Sequence, residues 1–227
     1  MALGSERAIR SFVRRQGRLS AARREVLGMG GSDFRIAVAD AEWSFPALFG
    51  RLAPVVLEIG FGMGESFLVT ARAHPEWNHL GLEVHAPGVA NVLQAVVSEG
   101  LSQVRVCQQD AVAALQQAVP LASLSRVNLF FPDPWPKARH HKRRLVQAPF
   151  VQAVVARLAP GGIFHMATDW EPYAAAAMTV LEAEPWLENV MGPGQFAPGA
   201  LWRPETKYER RGKGLGHGVW DLVFKRG

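Results

Sequence analysis

The stretch VVLEIGFGMGE, residues 55–65, decides the fold of this chain. Its first five residues form a short apolar run, which is typical of a strand buried within a parallel sheet. Gly60, Gly62 and Gly64 allow a tight turn and let the backbone approach a ligand closely. Residues 65–73 then follow a helical pattern. The stretch therefore predicts a strand, a glycine-rich turn and a helix that begins at the turn.

The spacing of these glycines argues against a dinucleotide site. Such a site requires G-x-G-x-x-G, whereas this turn is G-x-G-x-G and has Glu65 at the last glycine position. Glu58 precedes the first glycine by two residues, and its carboxylate would repel a pyrophosphate but attract a sulfonium and an ammonium group. In this respect the segment resembles S-adenosylmethionine-dependent methyltransferases. A turn with a purely structural role is the alternative.

Strand and helix patterns alternate on the carboxyl side of this stretch. Strands are predicted at 79–84, 103–108, 126–131 and 162–167, and helices at 86–99, 110–118, 146–158 and 171–183. This order predicts an α/β fold, with a mostly parallel sheet and helices on its faces. The apolar run 218–224 is predicted to be an antiparallel edge strand. We expect a basic arm over residues 1–30 and a single domain over 31–227.

Acidic residues follow four of the predicted strands or lie at their ends. Glu83, 25 residues after Glu58, is a candidate acceptor for ribose hydroxyls, and Asp110 is a candidate acceptor for an adenine amine. Asp133 follows the strand at 126–131. Each acid alone is also explained as a helix N-cap or a solvated residue. Because ligands bind at the carboxyl edge of such sheets, we expect these acids to share one site.

The loop PDPWPK, residues 132–137, presents a carboxylate and an aromatic ring between prolines. Proline restricts its own φ and the residue before it, so Asp133 and Trp135 are expected to be extended. Trp135 is predicted to brace the loop, although stacking on a nucleic-acid base is the alternative. A rigid surface loop with solvated charges would also explain this segment. The neighbouring run RHHKRR, residues 139–144, suggests that the loop works on nucleic acid.

Positive charge is concentrated in two segments. Residues 7–24 contain seven Arg and residues 137–144 contain five Lys or Arg, and neither segment has an acidic residue. The whole chain carries a formal net charge of +5. Such segregation predicts contacts with a phosphate backbone, although solvated charge runs are the plainer explanation.

Composition excludes several other classes of protein. No apolar run approaches the roughly 20 residues that cross a bilayer, so we expect a cytoplasmic protein. Cys107 is the single cysteine, which excludes an internal disulfide and a cysteine-cluster metal site, and its apolar strand predicts a buried, inert thiol. The seven His show no metal-ligand spacing, so no metal is predicted. The length of 227 residues suits one domain.

The motifs together resemble the bacterial tRNA (guanine-N7)-methyltransferase family. They are LEIGFGMGES, GLEVH, PDPWPK with RHHKRR, TDW, RPETKYERRGKGLGHGVWDL and the N-terminal RSFVRRQGRLS. The resemblance implies a Rossmann-like class I fold and methylation of the variable-loop guanine, nucleotide 46 of tRNA, by S-adenosylmethionine. Ala138 departs from the family, whose members often carry a second Lys there.

The resemblance also implies roles for individual residues. Asp133 would be the catalytic residue. The cofactor site would comprise Glu58, Gly60, Gly62, Gly64, Glu83, Asp110 and Asp133. The substrate would contact Lys137, Asp169, Thr206, Lys207, Tyr208 and Glu209. RNA would contact Arg139, His140, His141, Lys142, Arg143 and Arg144. Local signals alone would explain Asp169 or Thr168 equally well as a cap of the next helix.

Two other functional classes remain to be distinguished. A methyltransferase acting on another RNA or on a small molecule would share the glycine-rich turn, but a small-molecule enzyme would leave both basic segments unexplained. A non-catalytic RNA-binding module would leave the acids at four strand ends unexplained. A methyltransferase with another substrate would bind the cofactor but not tRNA, whereas an RNA-binding module would bind tRNA but not the cofactor.

Overall fold

The computed structural model describes residues 27–28, 33–38, 41–199, 203–204 and 218–227, together with Ser11 and Glu209. In this part of the chain the strands are β1 Arg35–Ile36, β2 Val55–Ile59, β3 Asn78–Leu82, β4 Val104–Cys107, β5 Leu124–Phe130, β6 Leu158–Thr168, β7 Leu187–Asn189 and β8 Trp220–Arg226. The helices are α1 Phe45–Phe49, α2 Glu65–Ala73, α3 Ala86–Glu99, α4 Ala111–Gln117, α5 Ala148–Arg157 and α6 Glu171–Glu182. A 3₁₀ helix spans Ala138–Arg143.

The strands form one sheet in the order β1-β4-β3-β2-β5-β6-β8-β7. All pairings from β1 to β6 are parallel, whereas β8 is antiparallel to both β6 and β7. The predicted parallel sheet with an antiparallel edge is therefore confirmed. That edge consists of two strands, because β7 pairs outside β8. With only three residues, β7 is too short for its sequence pattern to reveal it.

Helices cover both faces of the sheet. One apolar cluster joins α1, α4, α5 and α6 to strand residues such as Leu57, Leu129 and Phe164. A second cluster joins α2 and α3 to β4, through residues such as Phe67 and Val92. Their close packing fixes the sheet and hence the carboxyl edge on which parallel strands converge.

Several boundaries differ from the predicted ones. Strand β6 begins at Leu158 rather than at the predicted residue 162, so it includes Pro160 and Gly161. Cys107 lies at the end of β4 and is buried, and burial raises the pKa of its thiol to about 11. The prediction that Cys107 is buried is confirmed. The arm at residues 1–30 lies outside the described residues except at Ser11, Leu27 and Gly28. No helix of the described part is long and apolar enough to span a membrane.

Candidate active site

A cavity of about 550 Å³ opens at the carboxyl edge of β2, β3, β4 and β5. Its size falls in the range of small-molecule sites. Four of the predicted site residues line it, namely Gly60, Glu83, Asp110 and Asp133. The other lining residues are Ser11, Ile59, Leu82, Val84, His85, Gln109, Ala111, Leu129, Phe130, Phe131, Pro132, Pro134, Trp135, Pro136 and Leu145. The strand-end acids that the sequence predicted to meet therefore do so, with the exception of Glu58.

The glycine-rich turn leads from β2 into α2 with left-handed backbone at all three glycines. The φ angles are 73° at Gly60, 57° at Gly62 and 84° at Gly64, a conformation that side chains other than glycine rarely adopt. A Cβ at Gly60 would meet no protein atom within 4 Å, so this backbone faces open space on the cavity side. The turn thus offers unobstructed backbone to a ligand.

Glu83 holds the turn in place. Its Oε2 accepts from Gly62 N at 2.7 Å, and its Oε1 accepts from Val84 N at 2.6 Å and from His85 N at 2.8 Å. A carboxylate provides about four acceptor positions, so three backbone groups leave about one for a ligand. The carboxylate of Glu83 therefore positions the glycine-rich turn, a role that the sequence did not reveal.

Asp110 is the N-cap of α4. Its Oδ1 accepts from Ala113 N at 3.1 Å, so the capping role that the sequence left open is present. Asp110 also lines the cavity. A cap through one carboxylate oxygen leaves the other oxygen for a ligand.

Glu58 lies beneath the cavity, outside its lining. Its side chain is buried, one residue before the carboxyl end of β2. Burial raises the pKa of Glu58 to about 8, and the positive charge of Arg126 offsets part of that rise. Glu58 would therefore carry a proton at neutral pH unless a cation in addition to Arg126 lies beside it.

The protonation of Glu58 predicts a pH-dependent stability. Between pH 4.5, the ordinary pKa of a glutamate side chain, and about pH 8 the folded protein binds a proton that the unfolded chain has released. Stability should therefore fall as pH rises through this window, by up to about 1.4 kcal/mol per pH unit. Glu58→Gln should flatten that dependence. Relative to the wild type, the variant should therefore gain the most stability at about pH 8. Urea unfolding of the ligand-free protein at pH 5 to 9 measures this, and parallel curves for the two proteins would refute it.

The loop that carries Asp133 departs from the expected extended backbone. Trp135 has a φ of 45° and Phe131 a φ of 52°. The prediction that Trp135 is extended before Pro136 is therefore wrong. Left-handed backbone at a residue other than glycine costs roughly 1–3 kcal/mol and persists only where surrounding contacts hold it. Asp133 itself is exposed at the rim of the cavity.

Contacts on three sides hold Trp135. Its Nε1 donates to Ser11 O at 3.1 Å, the guanidinium of Arg143 lies 4.6 Å from its ring centroid, and the ring of His140 meets it edge-on at 5.8 Å. These contacts bear out the prediction that Trp135 braces the loop. Ser11 itself also lines the cavity.

Arg144 is an internal brace rather than a surface cation. Its side chain is buried, its Nε donates to Pro134 O at 2.9 Å, and its guanidinium lies 4.9 Å from the ring centroid of Tyr173. The structure does not support the expected contact of Arg144 with RNA, because its side chain is buried against Pro134 and Tyr173. The remaining basic residues lie on the 3₁₀ helix or beside it, and Lys137, Arg139, His141 and Lys142 are exposed.

The predicted substrate residues are distributed differently. Asp169 is exposed at the carboxyl end of β6 but does not line the cavity. The N-cap of α6 is Trp170, and Trp170 N donates to the hydroxyl of Thr168, so Asp169 is not the cap. Thr206, Lys207 and Tyr208 lie outside the described residues. Glu209 is buried and paired with Arg203 at 2.5 Å, so its carboxylate points into the fold and the expected substrate contact is not supported.

Comparison with known proteins identifies the family. Residues 52–222 match the model of a family described as putative methyltransferases. Proteins named tRNA (guanine-N(7)-)-methyltransferase from Hydrogenovibrio crunogenus and Escherichia coli are each 51% identical to this chain, and each alignment covers 97% of this chain and 92% of the relative. The chain belongs to the tRNA (guanine-N7)-methyltransferase family. The predicted resemblance is thereby confirmed.

Solved structures confirm the Rossmann-like class I methyltransferase fold. The 16S rRNA methyltransferase KamB superimposes with a TM-score of 0.58 at 16% identity, over 82% of this chain and 95% of that protein. A 16S rRNA (adenine(1408)-N(1))-methyltransferase from Catenulisporales acidiphilia, solved with its cosubstrate, gives 0.52 at 16% identity, over 80% and 89%. These two methyltransferases therefore have the same fold as this chain.

Residues for which the sequence predicted no role also build the site. Gly88 of α3 lies directly against the glycine-rich turn, where a Cβ would be 1.9 Å from Gly62 O. Arg203, Asp221 and His165 form a buried polar row that the sequence did not reveal. Gly88 and His165 carried no signal in a single sequence, because their significance depends on neighbours distant in the chain. Arg203 and Asp221 lay within a recognised motif, but nothing local indicated that they pair.

Proposed function

We propose that this chain transfers a methyl group from S-adenosylmethionine to N7 of guanine 46 in the variable loop of tRNA. The observation that carries the proposal is the cavity at the carboxyl edge, whose rim includes the Asp133 loop and continues into the exposed basic residues 137–142. Guanine as the target base and N7 as the target atom are taken from the names of the relatives. The position in tRNA follows from the sequence resemblance described above.

The cavity suits this cofactor in size and in the chemistry of its lining. When bound, S-adenosylmethionine supplies a methyl group activated by a sulfonium cation. The glycine-rich turn would hold its amino-acid part, Glu83 would accept from the ribose with its remaining acceptor position, and Asp110 would accept from the adenine amine. Glu58 lies below, and a cation near it would favour its ionised form.

Guanine N7 presents an in-plane lone pair and no proton, so its methylation requires no general base. The protein must therefore act through position and electrostatics. Positive charge develops on the imidazole half of the purine as N7 gains the methyl group. Asp133, exposed at the rim, can stabilise that charge or accept hydrogen bonds from guanine N1–H and the 2-amino group. Lys137 and Asp169 are proposed substrate contacts at the same edge.

Nucleoside analysis tests the proposal directly. Bulk tRNA that lacks the modification is incubated with labelled cofactor and digested, and 7-methylguanosine is expected. A transcript with adenine in place of guanine 46 should receive no label. Label on that transcript would show that another position is modified, and label only on small molecules would replace the proposal with a different methyltransferase activity.

The exposed part of the basic run is expected to bind phosphate. Replacing Arg139 and Lys142 with Gln should weaken tRNA binding and reduce the slope of log affinity against log salt by roughly 0.7–0.9 for each lost phosphate contact. Affinity is measured at several salt concentrations. Lys225→Gln is the control, because Lys225 is an exposed residue near the end of the antiparallel β8 and therefore lies away from the carboxyl edge of the parallel strands. An unchanged slope in the double variant would show that these cations are only solvated.

A further inference from the structure

A row of charged and polar side chains crosses one face of the sheet, on the side of β5, β6 and β8. Arg126 Nε donates to Asn128 Oδ1 at 2.7 Å, and Arg126 Nη2 lies 2.7 Å from His165 Nδ1. His165 Nε2 lies 2.7 Å from Asp221 Oδ1. Asn128 and His165 are in register with Glu58, so the row begins beneath the cofactor cavity.

The direction of these hydrogen bonds follows from their chemistry. A guanidinium only donates, so His165 Nδ1 accepts and the proton of the neutral ring sits on Nε2. His165 Nε2–H then donates to Asp221. Burial lowers the pKa of His165, which agrees with a neutral ring. Each group in the row is thus held in one protonation state and one orientation by its neighbours.

Arg203 connects this row to Glu209 and to the Asp133 loop. Its Nε and Nη2 donate to the two carboxylate oxygens of Asp221 at 2.7 and 3.0 Å, and its Nη1 donates to Glu209 at 2.5 Å. Its guanidinium also lies 5.3 Å from the ring centroid of Phe131, the residue that leads into the Asp133 loop. The side chain of Arg203 is only 1% exposed. One guanidinium therefore joins β8, the base of the Asp133 loop and Glu209.

Such a network contributes little stability in comparison with apolar side chains. Desolvating a buried ion pair costs several kcal/mol per ion, and replacement by well-packed hydrophobic residues is often neutral or stabilising. A bidentate pair does, however, fix geometry, because the guanidinium fork and the carboxylate match in only one plane. The contacts of Arg203 are consequently better explained by geometry than by stability.

We propose that Arg203 is a positioning residue that joins β8 and Glu209 to the base of the Asp133 loop, so that Asp133 is held in place for methyl transfer. Its ion pairs with Asp221 and Glu209 and its contact with the ring of Phe131 fix this arrangement. The inference rests on the proposed function, because Asp133 is the catalytic residue proposed there. Arg203 itself touches neither substrate nor cofactor.

Arg203→Lys keeps the positive charge but loses the bidentate fork. We expect kcat/KM for tRNA to fall about 100-fold, the effect of a small misplacement of reacting groups, while affinity for S-adenosylmethionine stays within about twofold. Arg51→Lys is the control, because Arg51 also donates through both Nε and Nη2 but lies at the opposite edge of the sheet, beside the start of β3. It should leave kcat/KM unchanged even if the melting temperature falls.

Glu209→Gln and the double variant test whether Arg203 and Glu209 act as one unit. If they do, the variant that combines Arg203→Lys with Glu209→Gln should have a kcat/KM scarcely lower than that of Arg203→Lys alone. The effects of Glu209→Gln and Arg51→Lys on kcat/KM should instead add. Additive losses for Arg203 and Glu209 would contradict the shared role. Equal losses of cofactor affinity and of tRNA activity would show that Arg203 is merely structural.

Gly199→Ala perturbs the same pair without removing any charge. A Cβ at Gly199 would lie 2.2 Å from Asp221 Oδ2 and 3.1 Å from Arg203 Nη2, so it must push the pair apart. We expect the same selective loss of tRNA activity. Gly227→Ala is the control, because Gly227 directly follows β8, the strand of Asp221, and a Cβ there would meet nothing within 4 Å. Wild-type protein that does not methylate tRNA would refute the proposed function, whereas active wild type with kcat/KM retained in both Arg203→Lys and Gly199→Ala would refute only this inference.

Discussion

Asp133→Ala is expected to reduce methyl transfer to tRNA by about 100- to 1000-fold, the magnitude typical of losing one preorganised electrostatic group. The carboxylate lies at the rim of the cavity, on a loop whose left-handed residues Phe131 and Trp135 flank it. No other carboxylate in the described part of that loop can replace it. Single-turnover rates at saturating cofactor measure the effect on the chemical step.

Binding measurements separate this role from a structural one. Affinity for tRNA should change little, because Asp133 belongs to neither basic segment. Asp133→Asn, which keeps the shape but not the charge, should lose nearly as much activity if electrostatic stabilisation dominates. A variant that retained more than about a tenth of wild-type turnover, a loss below ~1.4 kcal/mol, would remove Asp133 from the catalytic role.

Gly88→Ala is expected to abolish measurable binding of S-adenosylmethionine. A Cβ there would sit 1.9 Å from Gly62 O, and the obstacle is backbone rather than a flexible side chain. Either α3 or the glycine-rich turn must shift, and Gly62 N would then lose its 2.7 Å hydrogen bond to Glu83. We expect at least a roughly 100-fold loss of affinity, because several ligand-facing groups move together.

Calorimetry at matched protein concentration measures this loss, and thermal melting shows how much of the protein remains folded. Gly28→Ala is the control, since a Cβ at that position meets nothing within 4 Å. Wild-type affinity in a folded Gly88→Ala variant would mean that the turn adapts and that its geometry is not limiting for the cofactor.

Local sequence was sufficient for the parallel strands β2 to β6 and for most of the cavity. The apolar run before Gly60 predicted β2, and the regular alternation that follows predicted β3 to β6, whereas the two-residue β1 and the three-residue β7 were not predicted. Because parallel strands converge at one edge, Glu83, Asp110 and Asp133 could be placed together from their positions in the chain alone. These predictions depend on backbone direction, which a few neighbouring residues decide.

Tertiary structure decided the roles of the charged residues. Arg144 and Arg139 are indistinguishable in the run RHHKRR, yet Arg144 is buried against Pro134 and Tyr173 while Arg139 is exposed. Glu209 likewise turns inward to Arg203, and Trp135 takes a left-handed backbone that proline alone would disfavour. Burial and pairing depend on residues far away in the chain, and their electrostatic energy varies steeply with distance and solvent exposure. The sequence by itself therefore determined which edge of the sheet carries the site, and the packing of distant segments determined which charges face a ligand and which hold the loops in place.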